Sequence, residues 1–147
     1  MTEPATGVSR AISPVRGRYH PGSKLGYNSN MDHFFSPDLL NEVEVPKKGI
    51  LSHTLHNDDH VKVVIFGFSA GQELSAHTAP FPADIFFLQG EGKLTLGNDQ
   101  MAVQAGSFAH MTANLSHAIV AETPLVMVLV MMKGLRPSTQ TGPPPGP

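Results

Sequence analysis

Residues 71–90 read GQELSAHTAPFPADIFFLQG, and residues 106–117 read GSFAHMTANLSH. In each, a glycine opens a short apolar-rich run, a Pro, Asn or Ser-rich break interrupts it, and a second run follows. That is the pattern of strand, turn and strand. Strands are expected over 72–77 and 83–89 in the first stretch, and over 107–111 and 117–122 around the second. Between them, GEGKLTLGNDQMAV gives two more, 93–96 and 101–103, separated by Gly97 and Asn98. Toward the amino terminus, 50–56 and 60–68 flank Asn57-Asp58-Asp59, a hairpin turn of suitable chemistry. Toward the carboxyl terminus, 125–133 completes the series. One short helical turn, capped by Ser36 or Asp38, is expected in DHFFSPDLLNEV. Many short strands at near-regular spacing with almost no helix predict an antiparallel sandwich or barrel.

The spacings within the two segments carry more. They resemble the two signature segments of the cupin superfamily, in small proteins of the conserved-barrel type. The first family segment has a glycine, five residues, His-x-His, three or four residues, a glutamate, six residues and a glycine. The second has a glycine, five residues, Pro-x-Gly, two residues and a histidine. The matching positions are Gly71, His77, Ala79, Ala83 and Gly90, then Gly106, Thr112, Asn114 and His117. Every spacing is met, and the likeness spans roughly residues 49 to 133. The resemblance implies an all-β fold, a double-stranded β-helix or jelly-roll barrel. Of the four metal ligands usual in the family it carries over His77 and His117 only, since alanine stands at positions 79 and 83.

Two imidazoles rarely hold a transition metal alone, so a third ligand is expected elsewhere. If the 57–59 turn pairs His56 with His60, then Leu55 faces Val61, His53 faces Val63 and Leu51 faces Ile65. These six share one face, taken as the apolar lumen. On this register His53 is the expected third ligand; a one-residue slip would favour His56, and His110 is a further alternative. Without a carboxylate at position 83 the set departs from the two-histidine, one-carboxylate arrangement typical of non-haem iron. Copper is therefore favoured, with zinc or iron next. Glu73, of the same strand parity as His77, is the carboxylate expected to rescue the set, whereas Asp84 should point out of the barrel. His110 is expected to assist proton transfer, and His56, Phe81, Phe86 and Phe87 to form substrate walls. The expected function is a mononuclear metal-dependent oxidoreductase activating oxygen or peroxide on a small molecule, a carbohydrate or a phenol. A metal-dependent isomerase or lyase and a metal-free small-molecule binding module are the rivals.

Composition narrows the field from outside. The 147 residues suffice for one core. A net charge of −2, without a basic run, offers no patch for nucleic acid or a membrane surface. With no cysteine there is no disulfide, thiolate ligand or cysteine nucleophile. No apolar stretch nears the roughly 20 residues of a membrane span, and no secretory h-region is recognisable. A cytoplasmic location is thus the default expectation, with export left open. Residues 1–30 carry Arg10, Arg16, Arg18 and Lys24 against Glu3 and lack apolar periodicity. They are expected to be a disordered extension, and 137–147, PSTQTGPPPGP, a disordered proline-rich tail, leaving 31–136 as the barrel. The strand LVMVLVMM at 125–132 is apolar on both faces. Its outer face must be covered either by the domain's own chain or by a second copy in a homodimer.

Overall fold

The computed structural model describes residues 33–134. The expected extensions and the exact limits 31 and 136 lie outside the described residues. Nine strands follow a single 3₁₀ turn, Leu39–Asn41, which Asp38 caps by accepting a hydrogen bond from Leu40 N at 3.0 Å. They are β1 (Ile50–Asn57), β2 (Val61–Phe68), β3 (Glu73–His77), β4 (Ala83–Gln89), β5 (Glu91–Leu96), β6 (Asp99–Gln104), β7 (Phe108–Met111), β8 (His117–Ala121) and β9 (Leu125–Met132). Each coincides, within a few residues, with a strand expected from the sequence.

All pairings are antiparallel. The strands form a five-stranded sheet, β1-β2-β9-β4-β7, and a four-stranded sheet, β3-β8-β5-β6. The chain passes repeatedly from one sheet to the other, the jelly-roll arrangement. Between the sheets lies one core. Phe68, Ala83, Ile85, Phe87, Met111, Leu125 and Met127 enter it from the first sheet, and Leu94, Val103, Ile119 and Ala121 from the second. Strand alternation explains this choice. In β4, Ala83, Ile85 and Phe87 are buried while Asp84 and Phe86 between them face away from the core. Phe87 is only 1% exposed and belongs to this core, which corrects the expectation that it lines a substrate pocket.

β9 and β2 are apolar on both faces because both faces are covered. Leu125, Met127, Leu129 and Met131 turn inward, whereas Val126 and Val128 join Ile65 and Val43 in a second cluster. Leu39, Val45, Leu55, Val63, Leu88 and Val130 pack around that cluster. The segment 39–45 thus forms a strap across the outer face of the five-stranded sheet. It lies close because position 67 is glycine: a Cβ there would meet Glu44 O at 3.0 Å and Val45 Cα at 3.3 Å. Val126 and Val128 are 1% and 6% exposed within a single chain, so their burial requires no second copy.

The β1–β2 hairpin differs from the expected register. His53 stands opposite Ile65 and Leu51 opposite Gly67, two residues further along β2, and a bulge at Leu55 then brings His56 opposite Val63. Asp58 builds the turn: its carboxylate accepts from His60 N and Val61 N, both at 2.7 Å, and its own N–H donates to Val61 O at 3.0 Å. The grouping of Leu51, His53 and Leu55 with the odd residues of β2 holds, but that face is the outer one. The larger Phe66 and Phe68 claim the interior, and the strap covers Val63 and Ile65.

Candidate functional site

β3 contains a bulge. Leu74 lies opposite Ile119 and His77 opposite His117, so that Ser75 and Ala76 together face the single residue Ala118. A bulge re-aims the side chain that follows it, and here it sets His77 directly against His117 on the neighbouring strand. The ring centroids are 4.2 Å apart, inclined at 59°. Each ring is oriented in the same way. His77 Nδ1 lies 2.8 Å from Ser75 O, and His117 Nδ1 lies 2.9 Å from Leu115 O. A carbonyl oxygen can only accept, so the hydrogen must be on Nδ1 in both rings, and Nε2 of each neutral ring is left with a lone pair.

The turns before these strands are joined to one another. Asn114 N donates to Ala79 O at 2.7 Å, which ties the break in the first segment to the break in the second. Asn114 has φ 64°, where few side chains other than asparagine are comfortable. It occupies the position at which the family segment has glycine, so the departure preserves the backbone shape. At the far end of the first segment, Gly90 has φ 85°, and a Cβ there would collide with Pro124 O.

His77 and His117 open onto a cavity of about 200 Å³ lined also by Ala79, Phe81, Ala83, Met111, Thr112, Leu115, Leu129 and Met131. Apart from the two imidazoles, the Thr112 hydroxyl is the sole hydrogen-bonding side-chain group in this lining. Ala79 and Ala83, the two departures from the family's ligand set, both face the cavity, where they leave space in place of donors. Phe81 is part of the wall. Met111, Thr112, Leu115, Leu129 and Met131 were not among the expected site residues. Thr112 and Leu115 lie inside the second segment and were accessible to that reading; Leu129 and Met131 required the register of β9.

The remaining expected site residues are elsewhere. His53 is not in the lumen: it lies on the outer face, exposed, with Nδ1 2.9 Å from Glu42 O on the strap. His56 pairs through Nε2 with Asp58 Oδ2 at 2.7 Å in the hairpin turn. This contact, with the backbone donors of Val61 and His60, holds the Asp58 carboxyl well below the usual carboxylate range. His110 faces outward from β7 and binds Asp84 Oδ1 through Nδ1 at 2.6 Å, its side chain 53% exposed. It alternates with the buried Met111 and so cannot reach the cavity from that side of the strand. The β3 bulge breaks the parity expected between Glu73 and His77, and Glu73 is exposed and outside the cavity lining.

No group of three or more His, Cys, Asp or Glu side chains placed to hold a metal occurs among the described residues. The donor set is two imidazoles with no carboxylate, against the three or four protein ligands usual for zinc, copper or iron. By themselves the residues of the cavity do not complete a metal site.

No protein-family model matches the sequence, and no curated protein is significantly similar to it. Solved structures are. A conserved protein of unknown function from Streptococcus pyogenes is 29% identical, with a TM-score of 0.64 over 75% of this chain and 96% of that one. A cupin 2 conserved barrel domain protein from Leptotrichia buccalis is 33% identical, with a TM-score of 0.61 over 65% of this chain and 46% of that one. Others described as cupins or RmlC-like cupins match as well. The salicylate 1,2-dioxygenase of Pseudoaminobacter salicylatoxidans shares the fold at 12% identity, with a TM-score of 0.55 over 57% of this chain and 25% of that one. Enzymes are thus among the proteins that share this fold. No helix among the described residues is long and apolar enough to cross a membrane. With its two sheets, its paired signature segments and these likenesses, the barrel has the cupin fold.

Proposed function

We propose that this cupin binds a small, largely apolar molecule in the cavity between its sheets, with His77 and His117 as the polar anchor. One observation carries the reading. Two imidazoles with fixed tautomers stand side by side at the wall of a cavity otherwise built from Leu, Met, Phe, Ala and one Thr. Concave, mainly apolar spaces with a few convergent polar groups are the usual form of small-molecule sites. The composition of the wall argues against a carbohydrate, whose many hydroxyls would be left without partners against apolar side chains.

Methyl NMR of methionine-labelled protein tests this. Met111 and Met131 should shift when small apolar fragments are added, and His77→Ala or His117→Ala should weaken the response to fragments with a polar group. No shift with any fragment would overturn the reading.

A second reading, a copper-dependent oxidoreductase, with zinc or iron as other metals, draws on one specific observation. Histidines that ligate metals commonly donate their other ring N–H to a carbonyl, as both do here. His77 and His117 would hold the ion, which would supply oxygen or peroxide activation, and the other positions would be filled from outside the chain. Metal analysis of protein purified without a metal-affinity step decides between the two: stoichiometric metal lost in both alanine variants supports the second reading.

A further inference from the structure

We infer that the molecule selected by this cavity donates two adjacent hydrogen bonds from an apolar frame, as a catechol does. The inference rests on the small-molecule reading above and goes on to name the chemical class. Its basis is the direction of the hydrogen bonds. The carbonyls of Ser75 and Leu115 fix the ring hydrogens on Nδ1, so both neutral rings offer the cavity acceptors and no donors. The rings are cross-strand partners with centroids 4.2 Å apart, close enough for both to be engaged by neighbouring groups of one ligand. Carbonyl, ether or carboxylate oxygens brought to this pair would set acceptors against acceptors, with only the Thr112 hydroxyl able to donate. A vicinal diol reverses the polarity: each hydroxyl hydrogen meets one Nε2.

Size and wall chemistry select the frame. A dry cavity of about 150 Å³ lined by Leu, Ile and Phe accepts benzene, and this one, of about 200 Å³, has room for a six-membered ring with two hydroxyls. Phe81, Leu115, Leu129 and Met131 would contact the ring, and a larger polyol would leave hydroxyls unpaired against them.

The test uses the full chain, without oxygen, with EDTA present, and at pH 8, above the ordinary imidazole value of about 6.5. Catechol, phenol, 1,2-dimethoxybenzene and benzoate are titrated by calorimetry while the Met111 and Met131 methyls are observed. Catechol should bind about tenfold more tightly than phenol, and dimethoxybenzene and benzoate more weakly still. His77→Ala or His117→Ala should reduce catechol to the affinity of phenol. If dimethoxybenzene or benzoate equals catechol while the methyls shift, the donor rule is wrong and the cavity reading stands. If none of the four moves the methyls, the cavity reading and this inference fall together. The wild-type series decides the matter even if a histidine variant fails to fold.

Discussion

His77 and His117 face one another across the β3–β8 ladder, and each donates its Nδ1 hydrogen to the carbonyl two residues before it in the chain. The arrangement depends on the bulge at Ser75 and Ala76. Without it, Glu73 and His77 would lie on one face of a regular strand, and His77 would not be brought into register with His117. The local irregularity of β3 therefore creates the polar end of an otherwise apolar cavity.

The tautomers follow directly. Long-range ¹H–¹⁵N spectra of the imidazoles at neutral pH should show both His77 and His117 protonated at Nδ1. A proton on Nε2 of either ring would contradict the carbonyl contacts and the acceptor character of the site.

Filling the cavity should block it without harming the barrel. Ala79 lines the cavity but is half-buried and outside the core cluster, so Ala79→Leu should lower ligand affinity about tenfold or more, with little change in melting temperature. Ala83, 2% exposed, sits in the core as well, and Ala83→Leu should cost about 1–3 kcal/mol of stability through overpacking. Chemical denaturation and calorimetry on the same samples separate the two effects.

His110 serves as the control. It binds Asp84 at 2.6 Å on the outer side of the β4–β7 ladder. His110→Ala should leave ligand affinity at the cavity within about twofold of wild type. A tenfold loss would place His110 in the working site after all.

The strap should contribute measurably to stability. Val43 is 7% exposed against Ile65, Val126 and Val128, and Val43→Ala should cost about 1–2 kcal/mol at roughly 0.8 kcal/mol per buried methylene plus the residual cavity. Gly67→Val should be worse, because its Cβ would press on the backbone at Glu44 and Val45. Equal melting temperatures for wild type and Gly67→Val would show that the strap does not hold this position in solution.

The hairpin turn should respond to acid. The hydrogen bond from His56, then the N–H groups of Val61 and His60, depress the Asp58 carboxyl in the folded protein. A depressed folded value stabilises the fold above the unfolded carboxyl value of about 3.9, and the contribution fades as pH falls below it toward the folded value. Asp58→Ala should therefore lower the melting temperature at pH 7, and the gap from wild type should narrow progressively below about pH 4. A gap that widens in acid would reverse the sign of this linkage.

Local signals in the sequence determined much of this protein. Glycine, proline and asparagine breaks located the nine strands of the described residues, because turn chemistry is set within a few residues, and the spacings around His77 and His117 pointed to one barrel wall. Asp38 as one of two expected caps and Asp58-Asp59 within a turn were legible for the same reason. Which face of β2 is inside was not. Val63 and Ile65 are as apolar as Val64 and Phe66, so alternation alone could not distinguish the core from a face covered by a strap about twenty residues upstream. That ambiguity placed His53 in the lumen, whereas the tertiary structure uses it to hold Glu42. The β3 bulge was equally hidden: it is fixed by pairing with β8, about forty residues later, and it decides that His77, though exposed, lines the cavity while Glu73 does not. Strand existence depends on neighbours in sequence; the direction of a side chain in a two-faced barrel depends on which distant segment covers it.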